Sequence, residues 1–144
     1  MSAPMTLQSG QTPPLRWRLP ALLAVAIARP LSALPPRRIH AALRLARTGA
    51  APAAAGRTLS ARNAVVAVST RCAGQGCLQR SLATALLCRM TGMWPTWCTG
   101  VRTAPFQAHA WVEAEGMPIG EPHPPGYYAP TLTVPPPHRT ELVA

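Results

Sequence analysis

Apolar residues fall in blocks along this chain, set apart by proline and glycine. The first block, residues 19–28, follows Arg16 and Arg18. It is about half the length a bilayer span needs. The pattern predicts a core helix that ends before Pro30, with Pro20 in its first turn, where a missing N–H costs nothing. A secretory segment is the competing reading, because Ala26-Ile27-Ala28 carries the small residues of a cleavage site. The late start of the run and the proline inside it count against that reading. Pro36 opens a second predicted helix. Ile39, Ala42, Leu43 and Ala46 recur at helical spacing, Arg37, Arg38, Arg44 and Arg47 fall mostly elsewhere, and Gly49 stops it. Basic amphipathic helices also lie on membranes and partners; packing on the domain's own core is the favoured reading here.

Residues 50–57 read as a linker. Residues 60–69 are apolar around Val65-Val66; a helix capped by Ser60 is the favoured reading, and the period alone does not exclude a strand. Gly74 and Gly76 then break the chain, and Leu78, Leu82, Ala85 and Leu86 mark one face of a helix that ends near Gly92. Residues 97–102 and 108–114 alternate like strands, Glu115-Gly116 makes a turn, and 118–121 return as a short strand. The proline-rich remainder is expected to wrap the surface in extended form, and residues 1–14 to be loose. The order, helices first and a small antiparallel sheet afterwards, is α+β.

The length, 144 residues and 15.3 kDa, fits one small domain. Hydrophobic residues make up 48% and aromatics 5%, so the core must be built from Leu, Val and Ala. Fourteen arginines with no lysine, against four glutamates with no aspartate, give a formal charge of +10. That balance favours acidic partners. The arginines are scattered, however, with Arg37-Arg38 the one adjacent pair, and no dense stripe interleaved with aromatics marks a nucleic-acid surface. Any side-chain carboxylate that acts in chemistry must come from Glu113, Glu115, Glu121 or Glu141. Cysteines at 72, 77, 88 and 98 contain no C-x-x-C pair, which speaks against zinc. They would form two disulfides in an exported chain and stay reduced in a cytosolic one.

Cys77 opens a predicted helix just after Gly-Gln-Gly. There the helix dipole and free N–H groups stabilise a thiolate and can hold a developing oxyanion. Most free cysteines are simply small buried hydrophobes; Cys88 and Cys98 fit that description, and Cys72 is ambiguous. A thiol nucleophile needs a base and the base an orienting group. His109 lies in a strand whose period of two places His109, Trp111 and Glu113 on one face. Glu113 is four residues along at about 3.3 Å each, too far to orient His109. Glu121 is the better orienting group, and the hairpin register decides it. A two-residue loop at Glu115-Gly116 pairs Trp111 with Gly120 and turns Glu121 to the opposite face. A three-residue loop, or a bulge, pairs Trp111 with Glu121 and sets Glu121 diagonally beside His109.

The stretch Arg71-Cys-Ala-Gly-Gln-Gly-Cys77-Leu-Gln-Arg-Ser-Leu, followed by Gly100-Val-Arg-Thr-Ala-Pro-Phe-Gln-Ala-His109-Ala-Trp-Val-Glu113, resembles the lasso peptide leader peptidases, cysteine proteases of the transglutaminase-like family in their stand-alone actinobacterial form. The resemblance runs over residues 61–134, including Tyr127-Tyr128. It implies a transglutaminase-like, papain-like core in which a nucleophile helix packs on a small antiparallel sheet behind N-terminal helices. The expected organisation is a flexible 1–14, a helical segment at 15–50, a catalytic core at 58–134 and a tail at 135–144. It implies Cys77 as nucleophile, His109 as general base and Glu121 at the acid position, where relatives often carry Asp. Gln75, Gly76 and Trp111 are candidate oxyanion or substrate contacts, and no metal or cofactor is required. The implied reaction is removal of the leader from a ribosomally made lasso precursor. It takes place in the cytoplasm, with a separate leader-recognition protein and an ATP-dependent macrolactam cyclase as partners. Relatives cut after leaders whose penultimate residue is Thr. Three competing readings are a non-catalytic protein that presents the precursor, an exported disulfide-linked protein, and a transglutaminase-like acyl transferase.

Overall fold

The computed structural model describes residues 14–74 and 76–137, with Arg71 described by its backbone only. In chain order the elements are α1 (Leu15–Ser32), α2 (Pro36–Ala46), β1 (Ala51–Pro52), α3 (Ala55–Val68), α4 (Thr70–Ala73), α5 (Cys77–Met90), β2 (Met93–Trp94), β3 (Thr96–Thr103), β4 (Phe106–Ala114), β5 (Met117–Pro118) and β6 (Ala129–Val134). Strands β5-β4-β3-β6 form one antiparallel sheet in that order, and β1 pairs with β2 in parallel. The fold is α+β, with helices on one side of a small antiparallel sheet.

Helix α5 is the centre of the structure. Residues Arg80 to Ala85, Leu87 and Cys88 are all buried, so α5 is covered on most of its circumference rather than along the single stripe its leucine spacing suggests. Helices α1 and α3 cover one side, and β4 and β3 the other. Small side chains make the close approach of α1 possible, with Ala21, Ala24 and Ala28 fully buried in the same cluster as Leu82, Leu87, Trp94 and Trp97. The two tryptophans are the largest fully buried side chains, and each satisfies its indole N–H. Trp94 Nε1 donates to the Val134 carbonyl at 3.0 Å and Trp97 Nε1 to Ser81 Oγ at 3.0 Å. They tie β6 and α5 to the same core.

Several sequence expectations are corrected here. Helix α1 continues to Ser32 through Pro30, because a proline in the last turn removes only one hydrogen bond and its neighbours close by 3₁₀-type bonds. The expected linker at 50–57 instead holds β1 and the start of α3. That helix begins at Ala55 rather than at Ser60, because Glu115 Oε2 accepts the Ala55 N–H at 3.1 Å. A carboxylate on a distant turn thus fills the anionic place that the helix's own first turn lacks. The proline-rich tail forms β6 on the sheet edge, where Pro130 lies in a strand beside a register shift opposite Thr99 and Gly100. An edge strand tolerates the missing N–H.

Strands β3 and β4 make a long hairpin turned at Ala104–Pro105, whose peptide bond is cis, and Gly100 stands opposite His109. A Cβ at Gly100 would sit 2.7 Å from the Ala129 carbonyl and 2.8 Å from the Trp111 indole. Glycine there lets the indole lie across the sheet beside His109. Among the described residues, no helix is long and apolar enough to cross a membrane.

Removing the Trp94 indole empties the junction of β2, β6 and α5. Trp94→Ala is expected to cost about 3–5 kcal/mol, read as a lowered urea midpoint in equilibrium denaturation.

Candidate active site

The side chains singled out by sequence meet where the N-terminus of α5 abuts β4. Cys77 is the first residue of α5 and half-buried, directly after Gly76, which caps the helix. The loop in front of it is pinned from behind. The buried Arg80 guanidinium donates to the carbonyls of Cys72, at 3.0 Å, and Gly74, at 3.2 Å. Gln75 lies outside the described residues.

The turn after β4 has the two-residue form, with Ala114 opposite Met117 and Glu113 opposite Pro118. Glu115 and Gly116 both have positive φ, 55° and 78°, the twist that suits a two-residue hairpin. The Glu115 carboxylate docked on α3 holds that non-glycine residue in the left-handed region. The three-residue register expected for a His109–Glu121 contact is therefore absent, and yet the contact forms. The chain keeps the register as far as Ile119, whose N–H bonds the Val112 carbonyl at 2.9 Å. It then turns at Gly120 (φ +68°), and Glu121 comes round with Oε2 at 2.7 Å from His109 Nε2. A Cβ at Gly120 would lie 2.8 Å from Arg62 Cδ and Nε, so glycine is required there for conformation and for space.

His109 is thus held on two sides. Nε2 meets Glu121 at 2.7 Å, and on the other side the ring interacts with the Cys77 thiol. With Nε2 committed, Nδ1 is the nitrogen left for sulfur. Burial by itself would raise the Cys77 thiol, but the His109 hydrogen bond, the Ala110 backbone N–H and the charges of His109 and Arg80 together hold it below the ordinary thiol value. Burial would likewise lower His109, yet its bonds to Cys77 and Glu121 push it up to about 9. Glu121 is held below the usual carboxylate range despite burial, by His109 first and then by Arg62 and Arg80. The three shifts run together: the imidazole and the carboxylate favour their charged forms, and the thiol is biased toward its thiolate. Cys88 and Cys98 differ in kind, since burial pushes both up to about 12. All four cysteines are free.

Trp111 shares the His109 face, its ring stacked at 5.9 Å between centroids. The indole N–H is committed to Glu113 Oε1 at 3.0 Å, which leaves the ring face, rather than a donor, for a ligand. Tyr128 tilts against both rings at 5.0 and 5.8 Å. Tyr127 stacks on His123 at 3.8 Å and is held from its other side by Arg102, which also hydrogen-bonds its hydroxyl. These rings and Glu121 bound a narrow cleft of about 20 Å³ beside His109. Sequence reasoning passed over Arg62 and Arg80. Their one signal is a cation set among the small and apolar residues of a helix that must be buried.

A half-buried cysteine at a helix N-terminus, facing a strand histidine backed by a carboxylate, is an arrangement able to form and break a thioester. The family model described as the transglutaminase-like superfamily matches residues 21–133. The chain belongs to the transglutaminase-like superfamily. No curated protein and no solved structure matches it. The matched span begins in α1 and ends in β6, so the family unit includes the first helix as well as the α5–sheet core. A transglutaminase-like core is the scaffold of cysteine proteases and acyl transferases, and this protein has the superfamily's α+β fold with Cys77 and His109 shifting each other's ionisation.

Cys77 is expected to be the one thiol labelled by iodoacetamide at neutral pH. Its labelling rate should rise with pH through a midpoint below that of a free cysteine and then level off, because the depressed thiol is already ionised. Peptide mapping after labelling checks the site, and His109→Ala should move the midpoint upward.

Proposed function

We propose that this protein is a cysteine peptidase that removes the leader peptide from a ribosomally made lasso precursor. It would work in the cytoplasm beside a leader-recognition protein and a macrolactam cyclase. The observation that carries the peptidase reading is the 2.7 Å His109–Glu121 contact beside Cys77, with the thiol held below and the imidazole above their ordinary values by each other. The pathway rests on the resemblance of the sequences around Cys77 and His109. Four free thiols agree with a reducing compartment.

In the proposed reaction the Cys77 thiolate attacks the scissile carbonyl, forming a C–S bond and a tetrahedral oxyanion. The N-terminal N–H groups of α5 are the donors nearest that oxygen. As the C–N bond breaks, imidazolium His109 gives its proton to the leaving amine, which departs as the N-terminus of the core peptide. His109, now neutral, takes a proton from water. The hydroxide carbon bond forms, the C–S bond breaks, and the leader leaves with a free carboxylate. Glu121 accepts the Nε2–H throughout, keeps the ring oriented and balances its charge. The aromatic cleft lined by Trp111, Tyr127 and Tyr128 is the place for substrate side chains on the His109 side. Gly76 supplies close backbone approach just before the nucleophile.

The test is mass spectrometry of the precursor incubated with the protein, with and without the leader-recognition protein. The expected products are two peptides whose masses sum to precursor plus one water. Cys77→Ala should give none, and Glu121→Gln should lower kcat by about 10²-fold or more. An amine-modified product in place of the free carboxylate would assign acyl transfer instead. An intact precursor that is still bound would assign the presenting role.

A further inference from the structure

Glu121 stands at the position where the resembling peptidases often carry aspartate, and a glutamate has one more rotatable bond to control. Its far oxygen is not left to solvent. Oε1 lies 3.9 Å from Arg62 Nη2, with the two side chains 8% and 5% exposed. Arg62 reaches this point from α3, an element that carries none of the candidate catalytic groups, and its stem runs against Gly120. The other buried or structural arginines act differently. Arg47 donates to the Pro135 carbonyl, Arg80 to those of Cys72 and Gly74, and Arg89 to those of Ala46 and Thr48. Arg80 also acts on Glu121 through its charge, and Arg62 forms an ion pair with the carboxylate at 3.9 Å.

We propose that Arg62 is a positioning residue: from α3 it holds Glu121 Oε1, so that Oε2 meets His109 Nε2 and the imidazole stays turned toward Cys77. The inference rests on the peptidase reading for its purpose but on geometry for its content. Other groups also face this line. Arg80 from α5 and Tyr128 from the segment before β6 interact with Glu121, and Cys77 closes the far end. Arg80 remains in place when Arg62 is replaced, so loss of Arg62 should loosen the carboxylate without abolishing the thiolate.

The experiment reads the pH profile of Cys77 alkylation by iodoacetamide, which needs no peptide substrate. It uses the full chain and the variants Arg62→Met, Arg62→Gln and Arg62→Lys, each also in a Glu121→Ala background. The midpoint should rise by about one pH unit in the Met and Gln variants and less in Lys, which keeps the cation. In the Glu121→Ala background the Arg62 substitutions should have no further effect, since the residue acts through the carboxylate. Arg62→Gln, which keeps polar donors, decides the matter should Arg62→Met not fold, with circular dichroism reporting the fold. An unchanged midpoint in a folded neutral variant overturns the proposal, and so does an equal shift with and without Glu121. If the wild-type protein cleaves no precursor, the peptidase reading fails while the alkylation result still stands for or against Arg62.

Discussion

The hydrogen bond between His109 and Glu121 is the constraint around which this protein is arranged. It joins a strand to a segment that has just left the sheet, and it forms only because the chain reverses at Gly120 with a positive φ. Everything on either side serves that approach. The two-residue turn at Glu115-Gly116 sets where β5 begins, and the Glu115 carboxylate on the N-terminus of α3 fixes both the turn and the helix from which Arg62 projects. Gly100 clears the space in which the Trp111 indole lies flat and supports the imidazole from its side. A 2.7 Å contact between an imidazole and a buried carboxylate is charge-assisted. Its effect passes through the ring to the thiol at the head of α5, where the helix N-terminus favours the same charge state.

The central helix makes this geometry stiff. Because α5 is buried on most sides, Cys77 cannot shift without moving the helix that α1, α3 and the sheet all contact. The Arg80 forks onto the Cys72 and Gly74 carbonyls extend that rigidity into the loop before the nucleophile. His109 faces it from β4, held in register with β3 over eight residue pairs. The reacting atoms thus sit on two regular elements rather than on loops, which favours accurate placement. The carboxylate alone comes from irregular chain, and it is the group that receives extra support.

Much of this was legible in the residues. The glycines before Cys77 and the helical spacing after it located α5, and alternation located the β3–β4 hairpin and the face shared by His109 and Trp111. What failed has physical reasons. Strand β6 is hidden by Pro130, which reads as coil and is tolerated only on an edge. The start of α3 depends on Glu115, sixty residues away, which no local capping pattern reveals. The hairpin register was reasoned from regular pairing, and regular pairing puts Glu121 on the wrong face. The structure keeps that register and solves the problem with a kink at Gly120, a residue whose need for positive φ arises from tertiary packing. Contacts of Glu121 and Arg62 likewise depend on long-range placement, which no local pattern around either residue reveals.

The distribution of charge explains why one carboxylate can matter so much. Every glutamate lies at residue 113 or later, so the helical half of the chain carries its arginines without a single acidic side chain. Arginines buried in such a fold must be satisfied by backbone carbonyls, as Arg47, Arg80 and Arg89 are. A neutral carbonyl can solvate a guanidinium but cannot neutralise it, and burying a charge without a counter-charge is costly. Glu121 therefore enters a cavity already biased toward negative charge by Arg62 and Arg80, and it is ionised there although buried. That bias is what a histidine needs on its far side if it is to hold a proton at neutral pH beside a thiol biased toward ionisation. Deleting the carboxylate would leave two guanidinium groups facing an imidazolium, and the ring would lose its proton. The scarcity of acids in the sequence concentrates the electrostatic requirement of the site on Glu121.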